Sequence, residues 1–142
     1  MLNTHPIHSD IDDDRSVKLA MKAGWKGHCP NCEQGRMFRS YLSVQPECLV
    51  CGEELHHQRA DDGPAYLTIL ISGHILAPLM HIAFVWLRPD PIAMGVAFSL
   101  IFLVMALTML PRLKGALIGY QWAKRMHGFG VPDQSATRVS HI

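Results

Sequence analysis

Two apolar runs constrain this chain more than any other feature in it. Residues 65–87 and 91–110 each hold about 20 residues or more without Lys, Arg, Asp or Glu, the length an α-helix needs to cross roughly 30 Å of hydrocarbon. The link between them, Arg88-Pro89-Asp90-Pro91, is short and proline-rich, so the two spans must form an antiparallel hairpin. Both termini then share one side. Of the 13 Lys and Arg, only Arg88 lies in the turn, and the positive-inside rule assigns the terminal side to the cytoplasm. A soluble hairpin buried in a larger partner would need the same hydrophobicity but gives no reason for so one-sided a basic distribution.

Outside the hairpin, roughly 64 residues precede it and roughly 32 follow, too few for a large enzyme core. A metal or disulfide staple is expected. Net charge near +1 conceals this topology, and no nucleic-acid footprint is visible. Residues 1–14 are polar and acidic, without the apolar core of a signal peptide, so insertion is expected to use the hairpin itself.

Residues 1–14 read as a disordered tail in which His5 and His8 could touch a metal but are expected to be solvated. Residues 15–27 follow as an amphipathic interfacial helix: Val17, Ala20, Met21, Gly24 and Trp25 share a face, with Lys18, Lys22 and Lys26 beside it. The same face would also suit packing on the domain that follows. That domain, residues 28–60, holds all 4 cysteines of the chain as Cys29-Pro30-Asn31-Cys32 and Cys48-Leu49-Val50-Cys51. Two such turns facing each other complete a tetrahedron of sulfurs, the closed geometry of structural zinc. Gly35 and Gly52 follow the second cysteines, where backbone can aim amides at sulfur. Strand formers in residues 37–44 predict a β-hairpin carrying the turns, and hence a zinc ribbon. Disulfides do not suit the cytoplasm, whereas a single iron, as in an electron carrier, fits the same thiolates.

His28, His56 and His57 flank the cysteine turns and could substitute as ligands or support them, but four cysteines already fill a tetrahedron, so they read as surface residues. Asp61-Asp62-Gly63-Pro64 predicts an acidic N-cap and a proline in the first helical turn. Inside the first span, His74 and His81 stand seven residues apart on one face, and intramembrane ionisable groups are functional candidates. Pro78 frees the His74 carbonyl between them. The pair could take haem or copper, with Met80 close by, or could hydrogen-bond to the second span or a partner subunit. The second span reads as packing surface. Residues 111–129 predict another amphipathic interfacial helix, with Lys114, Gln121, Lys124 and Arg125 opposite Gly115, Gly119, Trp122 and Met126. Gly115 and Gly119 also have the spacing of a tight helix contact, and residues 130–142 read as a tail.

In sum, the sequence predicts a mainly α membrane protein. Its parts are a two-span helical hairpin, a small N-terminal cytoplasmic zinc-ribbon (β) domain and flanking interfacial helices. The strings CPNCEQGRMF, CLVCGEE, DDGPAYL and LPRLKGALIGYQWAKRMHGF, in this order, resemble the domain-of-unknown-function 983 family of small bacterial inner-membrane proteins, over residues 17–129. That family is biochemically unassigned. Its alphaproteobacterial members tend to be encoded among cytochrome c oxidase structural and assembly genes. The resemblance thus implies an accessory subunit or assembly factor of that oxidase, in contact with the lipid bilayer and a membrane complex. No nucleophile with an adjacent base, phosphate-binding glycine loop or paired carboxylates are evident, so no catalytic residues and no enzyme activity are expected. The competing readings are haem or copper handling by His74 and His81, and electron transfer by iron at Cys29, Cys32, Cys48 and Cys51.

Overall fold

The computed structural model describes residues 15–130, in which three helices form: α1, Val17–Trp25; α2, Gly63–Leu87; and α3, Pro91–Ala123, followed by a single 3-10 turn at Met126–Gly128. The expected tails, residues 1–14 with His5 and His8 and nearly all of residues 130–142, lie outside the described residues.

The α2 and α3 helices are long and apolar enough to cross a membrane. A core helix of a soluble protein would pass the same test but would be covered. Here the most apolar windows of α2 and α3 are only 11% and 0% buried, so the apolar surface faces outward. The side that α2 turns inward is narrow and carries Pro64, Thr68 and Ser72, one turn apart, where it packs beside α3. Arg88 takes a left-handed conformation after α2, and the Asp90 carboxylate then accepts from the amides of Ile92 and Ala93, each at 3.0 Å. That capped turn reverses the chain. The acidic cap expected for α2 does not form: the Asp62 side chain makes no capping bond. Its backbone is already helical rather than extended, which aims the carboxylate away from the first-turn amides.

The largest departure from the expected organisation is at α3. A separate interfacial helix was expected over residues 111–129, but the helix runs on through Pro111 to Ala123. Its 33 residues measure about 50 Å against the roughly 30 Å of a hydrocarbon core. Proline at 111 leaves the carbonyl of Leu107 without its helical donor, and the Tyr41 hydroxyl, from the cysteine domain, donates to that carbonyl instead. The helix is thus continued at a position where proline would otherwise end it.

The apolar face of this last third of α3 is covered by protein. Ile118, Trp122 and Ala123 form one core with Ala20 of α1, with Cys29, Met37, Cys48, Leu55 and Ala60 of the cysteine domain, and with Phe129. Left-handed backbone at Arg125, His127 and Gly128 turns Phe129 back into that core. The face of α1 that was expected to meet lipid likewise meets α3. Its buried residues are Ala20, Ala23 and Gly24, while Lys18, Lys22 and Lys26 stay exposed. The helix ends in a Schellman turn, with Gly27 at φ 77° and amides of Gly27 and His28 on the carbonyls of Gly24 and Ala23, at 2.8 and 2.9 Å.

Glycine decides this packing. A Cβ on Gly115 would stand 1.9 Å from the Gly24 carbonyl oxygen, and one on Gly119 would stand 2.2 Å from that of Ala20. Backbone therefore touches backbone at two points four residues apart, the small-xxx-small contact that Gly115 and Gly119 foreshadow.

The expected β-hairpin is not a sheet. Among the described residues there is no strand, only isolated antiparallel bridges at His28 with Arg36, Phe38 with Val44, and Glu47 with Glu54. Each cysteine turn closes on itself within a few residues, and residues 39–43 turn back through Arg39 N–H to the Ser43 carbonyl at 2.8 Å. No segment stays extended long enough for a ladder.

Candidate metal centre

The two cysteine turns are built alike. In each, the first cysteine's carbonyl accepts from the amide four residues on: Glu33 to Cys29 at 2.9 Å and Gly52 to Cys48 at 2.8 Å. Both donors sit in left-handed backbone, Glu33 at φ 58° and Gly52 at φ 73°. Glycine reaches that conformation freely, while Glu33 must be held there. The first cysteine amides bond back across the turn, Cys29 to Gly35 O and Cys48 to Glu53 O, each at 2.8 Å. This geometry sends Cys29 and Cys48 into the core, leaving Cys32 half-buried and Cys51 exposed.

The four sulfurs converge. Cys29 Sγ lies 3.7 Å from Cys51 Sγ and Cys32 Sγ lies 3.7 Å from Cys48 Sγ, and all four fall within 4.8 Å of one another. Metal–sulfur bonds of about 2.3 Å in a tetrahedron need edges of about 3.8 Å, which the two 3.7 Å edges match. These four cysteines can bind a metal ion such as zinc. Supporting donors are present: Gly35 N–H reaches Cys32 Sγ at 3.4 Å and the Asn31 amide reaches Cys51 Sγ at 3.7 Å. Gly35 has a second role that the sequence does not reveal. A Cβ there would stand 2.2 Å from Cys48 Sγ, so only glycine lets the first turn approach the second pair of sulfurs.

The thiols are unequal before a metal arrives. Burial pushes the Cys29 thiol far above its ordinary range, and desolvation also raises Cys51 beside its neighbouring sulfurs. At Cys32, desolvation acts upward but is outweighed by hydrogen bonds from the Gly35 and Gln34 amides and from Cys51 and Cys48, bringing the thiol down to about 7. Cys32 is therefore the thiolate most ready to receive a cation.

The cysteine domain is fastened to α3 by polar contacts around its apolar core. Gln121 forms a reciprocal pair with the Arg59 backbone, accepting at 3.0 Å and donating at 2.9 Å. Trp122 Nε1 donates to Glu53 at 2.8 Å, and Lys114 donates to the Leu42 carbonyl at 2.9 Å. Arg15 lies 4.2 Å over the Trp122 ring and donates to the carbonyls of Trp122 and Phe129, each at 3.0 Å.

Of the other sequence candidates, His74 and His81 stay exposed on α2 and, among the described residues, join no cluster of metal-ligating side chains. His74 Nδ1 is within 2.8 Å of the Leu70 carbonyl of its own helix. The nearby Thr68 hydroxyl donates to Pro64 O at 2.7 Å, while Ser72 Oγ is buried with no partner among the described residues. His56 and His57 are brought together away from the four sulfurs, in a group of their own. With Glu54 they group three ligand atoms within 4.8 Å, and His57 Nε2 lies 3.0 Å from Glu54 and edge-on to Phe129.

No match emerges from comparison with curated proteins or with solved structures. A family model does match, over residues 38–122, which takes in the second cysteine pair, both long helices and the core-forming end of α3. That match covers more than half of the chain, and on it the protein belongs to the family described as "Protein of unknown function (DUF983)".

Proposed function

We propose that the protein is a two-span protein of the bacterial inner membrane, with both termini in the cytoplasm, carrying a zinc-held module on the emergent end of α3. We assign it a non-catalytic role as accessory subunit or assembly factor of a membrane complex. The observation that carries this reading is the shared core. The cysteine domain, α1 and the last third of α3 bury one another's apolar faces, whereas the rest of α2 and α3 stays uncovered. A module set rigidly on a membrane stem is suited to holding a partner at a fixed height and orientation.

Aromatic residues support the placement in the bilayer. Tyr66 and Trp86 are 66% and 82% exposed near opposite ends of α2, and the 20 residues separating them span about 30 Å of helix, the thickness of a hydrocarbon core. Trp25 and Tyr41 are exposed on the module, and Tyr41 reaches Leu107 of α3, one turn before Arg112, the first charged residue of that helix. Zinc is the metal favoured by four thiolates in a reducing compartment, and it would cross-link the two cysteine turns. For the partner complex, cytochrome c oxidase rests on the family resemblance alone.

The test is affinity purification of the full chain from membranes in mild detergent, with elemental analysis, an absorption spectrum and identification of co-purifying proteins. One zinc per chain, no colour and oxidase subunits in the eluate support the reading. Stoichiometric haem or copper would transfer the chemistry to His74 and His81. Iron–thiolate absorption would make the cysteines an electron carrier, and release of the chain by alkaline carbonate would refute the membrane assignment.

A further inference from the structure

Where α3 emerges, a cleft of about 740 Å³ opens between the end of α1, Phe38 and one side of α3; Trp25, Lys26, His28, Thr108 and Arg112 line it. We propose that this cleft binds one anionic phospholipid, with the headgroup phosphate held by Lys26 and Arg112. The proposal rests on the membrane reading above and adds a ligand to it.

Three observations converge on that occupant. The first is charge. The lining includes Lys26, Arg112 and His28 and no Asp or Glu. Lys26 is exposed and its ammonium has no partner among the described residues, while Arg112 commits one nitrogen to the Thr108 carbonyl at 3.1 Å, leaving the rest of its guanidinium for a ligand. Unpaired cations without a neighbouring carboxylate suit a phosphate monoanion.

The second is height. Thr108 and Arg112 are one turn apart where the charge-free stretch of α3 ends, so the cleft lies at the level of the headgroups rather than in water or hydrocarbon. The third is continuity with lipid. Val104 and Leu107, 62% and 50% exposed, continue the same side of α3 toward the hydrocarbon, a path for an acyl chain that a free phosphate would not need. Trp25, 42% exposed, supplies the amphipathic ring that favours this depth. Basic pockets at the cytoplasmic face of helical membrane proteins recognise lipid headgroups by this combination.

The experiment is native mass spectrometry of the zinc-loaded full chain released from nanodiscs holding equal phosphatidylglycerol and phosphatidylcholine, counting the lipid retained. Wild type is expected to keep one phosphatidylglycerol in preference to phosphatidylcholine. At roughly one basic contact each, K26Q should lower that preference about 5-fold and K26Q/R112Q about 30-fold. K18Q/K22Q, on exposed lysines outside the cleft, should leave it unchanged. Equal retention of the two lipids, or a K26Q preference equal to wild type in a sample that keeps its zinc, would overturn the proposal. Displacement of the retained lipid by millimolar inorganic phosphate would also overturn it, in favour of a free-phosphate site. Carbonate extraction of the same membranes reads the underlying membrane assignment separately: a chain that stays inserted but shows no lipid preference refutes the cleft alone.

Discussion

A single methyl group on Gly115 should separate α1 from the stem that carries it. The Cβ of Gly115→Ala would lie 1.9 Å from the Gly24 carbonyl oxygen, where ordinary contact starts near 3.4 Å, so α1 must draw back by about 1.5 Å. Both clashing groups are attached to backbone, so no rotamer relieves the overlap. Overpacking of this kind costs about 1–3 kcal/mol, from which alanine recovers up to about 1 kcal/mol of helix propensity. An overlap this deep against rigid backbone sits at the upper end of that cost, leaving a net loss of about 2 kcal/mol, which raises the open population of α1 about 30-fold. Gly73→Ala and Gly95→Ala are the internal controls: both lie in helices with nothing within 4 Å of the added carbon, so propensity acts alone and they should be neutral or slightly stabilising. The assay is limited trypsinolysis of zinc-loaded protein in mild detergent, following cleavage after Lys18 and Lys22. Faster cleavage in Gly115→Ala, with Gly73→Ala and Gly95→Ala at the wild-type rate, is expected. Cleavage of Gly115→Ala at the wild-type rate, or equal acceleration in all three, would refute the backbone contact.

Other perturbations address the metal centre and the stem. Gly35→Ala sets a methyl 2.2 Å from Cys48 Sγ and should lower zinc occupancy sharply in a competition titration, while carbonate extraction still finds the chain in the membrane. Zinc affinity should fall with acid. Cys29 and Cys51, raised by desolvation, hold protons at neutral pH that the metal must displace, and these two alone make affinity drop at least about 100-fold per unit of pH. Cys32, lowered to about 7, adds its own proton only below that pH, so a chelator titration should steepen there; a pH-independent affinity would refute this order. Tyr41→Phe removes the donor to the Leu107 carbonyl and should cost about 1 kcal/mol, read as an earlier thermal midpoint. Replacing Pro111 by Ala in the same background restores the helical donor and should recover most of that loss.

The contact between Tyr41 and Leu107 ties the cysteine domain to α3. Proline at 111 lies where α3 passes from uncovered to covered, and the freed carbonyl becomes a point of attachment for the cysteine domain. A metal bound there would therefore be coupled to α1 and α3. Loss of the metal would release Cys29 and Cys48 from the same core that holds Ile118 and Trp122, loosening the module from the helix as well as unfolding the turns.

What the sequence determined by itself rests on local rules. Charge-free runs and a Pro-Asp-Pro turn specify two long apolar helices, because length and hydropathy are properties of contiguous residues. Two CxxC turns specify a four-sulfur cluster, because each turn places two thiols in one small loop. The tertiary structure decided what those elements face. The amphipathic stretch at residues 111–129 and the helix at Val17–Trp25 each carry an apolar stripe that lipid or protein would cover equally well, and periodicity cannot distinguish the two. Gly24, Gly115 and Gly119 resolve it by admitting backbone contact, a property of the pair of helices that neither possesses alone. Strand propensity in residues 37–44 was overridden in the same way. Turn closure at the cysteines and the shared core with α3 bury Met37 and hold Phe38 and Val44 without a ladder, since burial against a neighbour outweighs a preference of a fraction of a kcal/mol per residue.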